Sequence, residues 1–256
     1  MVVTILTILG VLSAYVTLGF LGAVLLKRND IADVMWGPGI FIAALSAFIL
    51  TGGGPYLTLG IIFLWALRIA VHIGKRFISK EEEDFRYATW RQTWKFFYLR
   101  SYLQVFLLQG FLMFLVASSI IFLKLYMLQI NPVMFWVGTL ISVFALTFET
   151  IADNQLTNFL KQKTGGIMQT GLWKYSRHPN YFGEVTFWWG VFLVTIPSSS
   201  MFIVNPLFLL SPLTITFLIL YVSGIPMVEK KYDSNLEFQA YKSRTNAFFP
   251  WFPKKS

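Results

Sequence analysis

Seven stretches of the chain are almost continuously apolar: residues 3 to 26, 33 to 51, 56 to 76, 102 to 124, 132 to 153, 184 to 204 and 206 to 227. Each is close to the roughly 20 residues that a helix needs to cross the hydrocarbon of a bilayer. Lipid offers a backbone no hydrogen-bond partners, so a crossing segment must satisfy its amides internally, and a helix does so within a single stretch. The pattern predicts an all-α fold, a polytopic membrane helical bundle of about seven transmembrane helices forming one integral membrane domain over 1–256. The first stretch has no basic segment ahead of it and no small-residue cleavage site ahead of a polar domain, so it is read as a helix and not as a signal peptide.

One long polar connection interrupts this pattern. Residues 77 to 101, FISKEEEDFRYATWRQTWKFFYLRS, mix acids, bases and aromatics, which suits an amphipathic element lying at headgroup level. Trp90, Trp94 and Tyr98 are its expected interface anchors. Internal repeats, low-complexity tracts and domain linkers are not evident.

Composition agrees with the pattern. Of 256 residues 56% are hydrophobic and only 13% charged, and the mean hydropathy is +0.62. Absence of cysteine excludes disulfides, thiolate catalysis and cysteine-ligated zinc, and no metal site is expected. A net charge of +9 invites a nucleic-acid reading, but the positions of the basic residues do not support it. Of the 21 Lys and Arg, all but Arg68 and Lys124 follow the odd-numbered stretches, at Lys27 and Arg28, from Lys75 to Arg100, from Lys161 to Arg177 and from Lys230 to Lys255. The loops TGGGP and PSSSMFIVNP carry no base. By the positive-inside rule the N-terminus faces out and the C-terminus is cytosolic. A bacterial inner membrane is expected, or the endoplasmic reticulum if the source is eukaryotic, with no nucleic acid as partner.

Ionisable residues within or at the ends of apolar stretches cost a few kcal/mol each on insertion scales and mark functional sites. Here they are Asp30, Asp33, Arg68, His72, Glu149, Asp153, Glu184 and Glu229, all toward the expected cytosolic half. Arg68 and His72 are four apart, as are Glu149 and Asp153, so each pair shares a helix face, and together they are expected to line one polar cavity. A simpler account pairs Arg68 with a carboxylate such as Asp33 merely to neutralise both. For the whole set that account weakens, because apolar replacements of buried ion pairs cost a bundle little stability.

The densest cluster is RHPNYFGE, 177 to 184, just before an apolar run. Cations there suit phosphates and carboxylates suit ribose hydroxyls. No strand-borne G-x-G-x-x-G and no Walker sequence is present, so a nucleotide would be held by helices and loops. Taken singly, Tyr181 reads as an interfacial aromatic and His178 as a cap before Pro179 in the first helical turn.

The run GLWKYSRHPNYFGEVTFWWG, 171 to 190, resembles the C-terminal signature of the steroid 5-alpha-reductase superfamily, in its bacterial DUF1295 branch. FETIADNQLTNFLK upstream resembles that family's cofactor helix, and YKSRTNAFFPWFP downstream its C-terminal tail, so the likeness covers about 140–256. The resemblance implies a seven-helix bundle with NADPH entering from the cytosol, cofactor binding in that region and substrate handling in the N-terminal half. It assigns Asp153, Asn180, Tyr181 and Glu184 to the cofactor and places Arg177 and His178 beside the dinucleotide, with Glu149 on the same helix face as Asp153. Lys161, Lys163 and Arg244 are phosphate partners by charge alone. The implied activity is that of an NADPH-dependent oxidoreductase acting on a CH–CH group, with hydride delivered to the β-carbon of an apolar enone: a sterol, isoprenoid or other lipid-like molecule entering from the bilayer. The steroid enzymes polarise the carbonyl with a Glu and a Tyr from the N-terminal half. Here Asp30 or Asp33 falls near the Glu and no Tyr is assigned, so Asp33, neutral through burial, and His72, with Arg68 on the same helix, are the local catalytic candidates.

Two other classes fit part of the pattern. R-H-P-x-Y-x-G is shared with S-adenosylmethionine-dependent membrane methyltransferases of the isoprenylcysteine carboxyl type. Asn180, Glu184 and Glu-Lys-Lys at 229 to 231, in place of paired glutamates, favour the reductase form. A transporter would also place charges in the membrane, but inverted repeats and broken helices are not evident.

Overall fold

The computed structural model describes residues 1–162, 165–198 and 206–254. Among these residues it is helical without a strand. In chain order the helices are α1 (Val2–Leu26), α2 (Ile31–Thr51), α3 (Tyr56–Ser79), α4 (Phe85–Thr93), α5 (Phe97–Leu125), α6 (Pro132–Lys161), α7 (Pro179–Val194), α8 (Pro206–Lys230) and α9 (Leu236–Arg244). Six of them, α1, α2, α3, α5, α6 and α8, are long and apolar enough to cross a membrane, and the chain is a multi-pass helical membrane protein. The stretch expected at 184 to 204 corresponds in part to α7, which is 16 residues long and ends at Val194; residues 195–198 are not helical, and 199–204 lie outside the described residues.

The backbone forms two compact units. The first comprises Met1–Gln129 and Pro197–Ser211, the second Ile130–Ile196 and Pro212–Ser256. In the first, α2 packs against α1, α3 and α5, and α1 against α5. Its interior holds Ile8, Leu12 and Val16 of α1, Ile40, Ala43, Ala44 and Ala47 of α2, and Met113, Ala117, Ile120 and Ile121 of α5. Alanines predominate on α2 because helices in lipid gain little from excluding water and associate by close van der Waals contact. Polar bonds add to that contact, with Tyr15 donating to the carbonyl of Met35 at 3.1 Å and Asn29 Nδ2 to Ser101 Oγ at 2.8 Å. Ser101 opens a π-helical stretch, Ser101–Leu107, within α5.

The second unit is built on α6 and α7. Asn131 caps α6, its side chain accepting from the amides of Val133 and Met134, and Pro132 follows at the first helical position, where its missing N–H costs nothing. Glycines set the closeness of the two helices. A Cβ at Gly138 would lie 2.5 Å from the carbonyl oxygen of Gly190, and one at Gly183 would lie 2.7 Å from Glu149 Cβ and 3.0 Å from its backbone. Only at glycine can α7 come this near, and the approach sets the Asn180 turn of α7 beside the Glu149–Asp153 face of α6.

Candidate functional site

The motif segment 171–184 is fixed before its side chains do anything. A 3-10 turn over Gly171–Lys174 places Trp173, whose indole donates to the carbonyl of Ala152 at 3.0 Å and ties the turn to α6. Gln155 of α6 accepts from the amide of Leu172 at 3.0 Å. Pro179 then starts α7, with His178 at the N-cap position.

The 245–254 segment lies along this turn as a strap. The amide of Arg177 donates to the carbonyl of Asn246 and that of Trp251 to Tyr175, each at 2.9 Å, and Ser176 Oγ donates to the carbonyl of Phe248 at 2.8 Å. Tyr241 of α9 donates its phenol to the carbonyls of Trp173 and Ser176. Burial pushes that phenol above its usual range, with Glu229 adding to the rise and Arg177 opposing it.

Glu229 is the hub. Only 6% exposed, it receives Arg177 at 2.8 Å and His178 Nε2 at 3.1 Å on one oxygen and Lys242 Nζ at 3.0 Å on the other. Arg177 spends its remaining donors on the carbonyls of Lys242 and Thr245. Burial holds His178 below the ordinary imidazole range, against the hydrogen bond to Glu229, so the ring is neutral near pH 7 and donates from Nε2. Its face stacks on Tyr181, with ring centroids 5.4 Å apart. His178 sits at the cap position, but its side chain serves Glu229 and makes no cap bond.

In the first turn of α7, Asn180 Nδ2 donates to Asp153 Oδ1 at 3.1 Å. Glu149 and Asp153 lie one turn apart on α6, and both are buried, as is Glu184. The amide oxygen of Asn180 is buried without a hydrogen-bond partner among the described residues. A buried acceptor in that state lacks a donor that water or a ligand would supply. Of the residues assigned to phosphates, Lys161 ends α6 on the surface, Arg244 ends α9 and donates to Gln169 at 2.6 Å, and Lys163 lies outside the described residues.

In the first unit, Arg68 and His72 are half-buried on α3. Asp33, in the first turn of α2, differs from the expectation of a neutral acid with a proton to spare. One of its oxygens accepts from Arg86 at 2.6 Å and the other from the phenol of Tyr87 at 2.7 Å. A carboxyl whose two oxygens both serve donors, one of them a guanidinium, acts as an acceptor. Its cation here is Arg86, where the simpler sequence account named Arg68.

Tyr87 is a partner of Asp33 that the sequence reading did not name. Only 2% exposed, its hydroxyl is pushed well above the usual phenol range by burial and then by Asp33, so it keeps its proton. Nothing in FRYATWR separates it from the interface anchors around it except its place after Asp84, the residue that caps α4. Of the aromatics expected there, Trp90 and Trp94 stack at 4.8 Å. Several further charges at this end of the unit are ion-paired. Arg28 meets Asp30 at 2.8 Å and Arg91 meets Glu83 at 2.9 Å, while Arg86 also reaches Asp84 at 2.8 Å. Burial pushes the Asp84 carboxyl up, but the bonds to Arg86 outweigh that and leave it below the ordinary carboxylate value.

Among the described residues, no group of three or more His, Cys, Asp or Glu side chains has the arrangement to hold a metal ion. No curated protein and no solved structure matches the chain. The family model described as a protein of unknown function, DUF1295, matches residues 19–245, and the protein belongs to that family.

Proposed function

We propose that the protein is a membrane-embedded, NADPH-dependent reductase that transfers a hydride to the carbon–carbon double bond of an apolar enone. The proposal includes seven spans, an N-terminus outside and a cytosolic C-terminus. The observation that carries it is the Asn180–Asp153 hydrogen bond, which joins the two segments resembling the steroid 5-alpha-reductase superfamily and leaves the Asn180 amide oxygen as an unused acceptor.

The residues present fit such a cofactor. The Asn180 acceptor suits an amide or hydroxyl donor, the buried carboxylates of Glu149, Asp153 and Glu184 suit ribose hydroxyls, and the surface cations Lys161 and Arg244 suit phosphates. Arg177 and His178 take a positioning role in this reading, because their donors are committed to Glu229 and to backbone carbonyls. When bound, NADPH supplies the hydride. The candidates for polarising the enone carbonyl are His72 and Arg68, because the carboxyl of Asp33 already accepts from Arg86 and from the phenol of Tyr87.

The test is a titration of the purified protein in detergent with NADPH, read by nicotinamide fluorescence and by thermal stabilisation, since a ligand that binds only the folded state raises apparent stability. The expected result is saturable binding that Asn180→Ala weakens, and turnover of a steroid or isoprenoid enone that His72→Ala abolishes with NADPH binding intact. Stabilisation by S-adenosylmethionine alone would move the protein to the methyltransferases, and response to neither ligand would favour a transporter.

A further inference from the structure

Phe249, Trp251 and Phe252 are 67%, 68% and 75% exposed, although they belong to the strap whose backbone is bonded to Tyr175, Ser176 and Arg177. Chains rarely leave three large aromatics outward within four residues without something to cover them. What covers them can be read from the aromatics next to them. Phe144 contacts Phe148 at 5.8 Å, Phe148 contacts Phe182 at 5.6 Å, and Phe182 contacts both Phe248 and Phe249, at 5.6 and 6.0 Å. This column starts on a face of α6 where Leu140, Phe144 and Ile151 are exposed in the middle of a helix apolar enough to span the membrane. The strap aromatics therefore continue a lipid-facing stripe to its polar end, the headgroup level where such rings are enriched. Cations lie beside them. The amide of Lys254 donates to the carbonyl of Arg244 at 2.9 Å, which brings two exposed basic residues together next to Trp251 and Phe252.

We propose that the 246–254 strap docks on the membrane leaflet at its own end of the protein, with Phe249, Trp251 and Phe252 at the boundary between acyl chains and headgroups and with Lys254 and Arg244 on anionic phospholipid headgroups. Because the same strap holds the amide of Arg177, anionic lipid steadies the turn that carries Arg177 and His178. This docking takes Arg244 from the phosphate role named above and leaves the rest of the cofactor reading unchanged.

The chain contains no cysteine, so Phe252→Cys and Ser243→Cys each give one unique position for a nitroxide label. The full protein is placed in nanodiscs of phosphatidylcholine alone or mixed with phosphatidylglycerol, and label depth is read by relaxation with oxygen against a water-soluble nickel chelate. The label at 252 is expected to respond to oxygen and that at 243, on the exposed face of α9, to the chelate. Adding phosphatidylglycerol is expected to slow hydrogen exchange at the amides of Arg177 and Trp251 by about fivefold for each cation engaged, an effect that high salt reverses. Equal chelate access at 252 and 243 would overturn the docking, and dipolar broadening between labels at 252 would assign the patch to a second copy of the chain instead. Exchange indifferent to phosphatidylglycerol would overturn the anionic preference.

Discussion

The two units handle buried charge in opposite ways. At the polar end of the first, bases and acids are matched in separate, partly wetted pairs: Arg28 with Asp30, Arg86 with Asp33 and Asp84, Arg91 with Glu83. Side-chain exposures there reach 30% at Arg91 and 23% at Arg86, so the loss of one pair leaves the others and some water. In the second unit Arg177, His178 and Lys242 converge on the single carboxylate of Glu229, with Arg177 and Glu229 each only 8% exposed at the side chain. The first arrangement is redundant and fastens α4 to the α1–α2 turn. The second has one point of failure, and the motif turn depends on it.

The sharpest way to break this contrast is at the hub. Glu229→Gln leaves the Arg177 guanidinium buried without its counter-charge, and breaking a buried pair from one side costs about 3–5 kcal/mol. Thermal unfolding in detergent should show that loss, and a loss no larger than at an exposed pair would remove the distinction between the units. Next in size is Gly183→Ala, whose Cβ would meet the backbone of Glu149. Overpacking of this kind costs about 1–3 kcal/mol, and it should weaken any ligand that depends on the Asn180–Asp153 bond while leaving the first unit's ion pairs untouched.

Protonation offers a smaller, reversible test. The folded His178 titrates below the ordinary imidazole value of 6.5, so below that pH the unfolded chain binds a proton that the folded one does not. Its contribution to stability is complete above pH 6.5 and is lost as pH falls through the folded value. His178→Gln should flatten that part of the stability profile measured from pH 8 down to pH 5 by calorimetry (an experimental range of about three units around the imidazole value). Asp84, also held low, gives the same sign only in the more acid range below its ordinary 3.8. The smallest effect belongs to the redundant network, where Arg91→Ala should lower stability by no more than about 1 kcal/mol. A larger drop would mean that the first unit also relies on a single contact.

The sequence alone determined the membrane class, most of the spans and the membership of the motif. A span needs only a long apolar run, and the helix is then forced because lipid cannot satisfy an open backbone. It also marked the residues of RHPNYFGE, with Glu149 and Asp153 at helical spacing, because a one-turn repeat is a local property. Partnerships were beyond its reach. That Glu229 is the anchor of Arg177 and His178 depends on residues about fifty positions apart in the chain being brought together, as does the closure of the turn by the 246–254 strap. Asp33 looked like an acid awaiting a substrate until the fold set Arg86 and Tyr87 against it. Tyr87 itself sat among interface aromatics with no local sign to set it apart. Periodicity and composition report what each residue's own helix does, whereas pairing of charges and the burial of one phenol among several aromatics are decided by which helices meet, and only the tertiary structure fixes that.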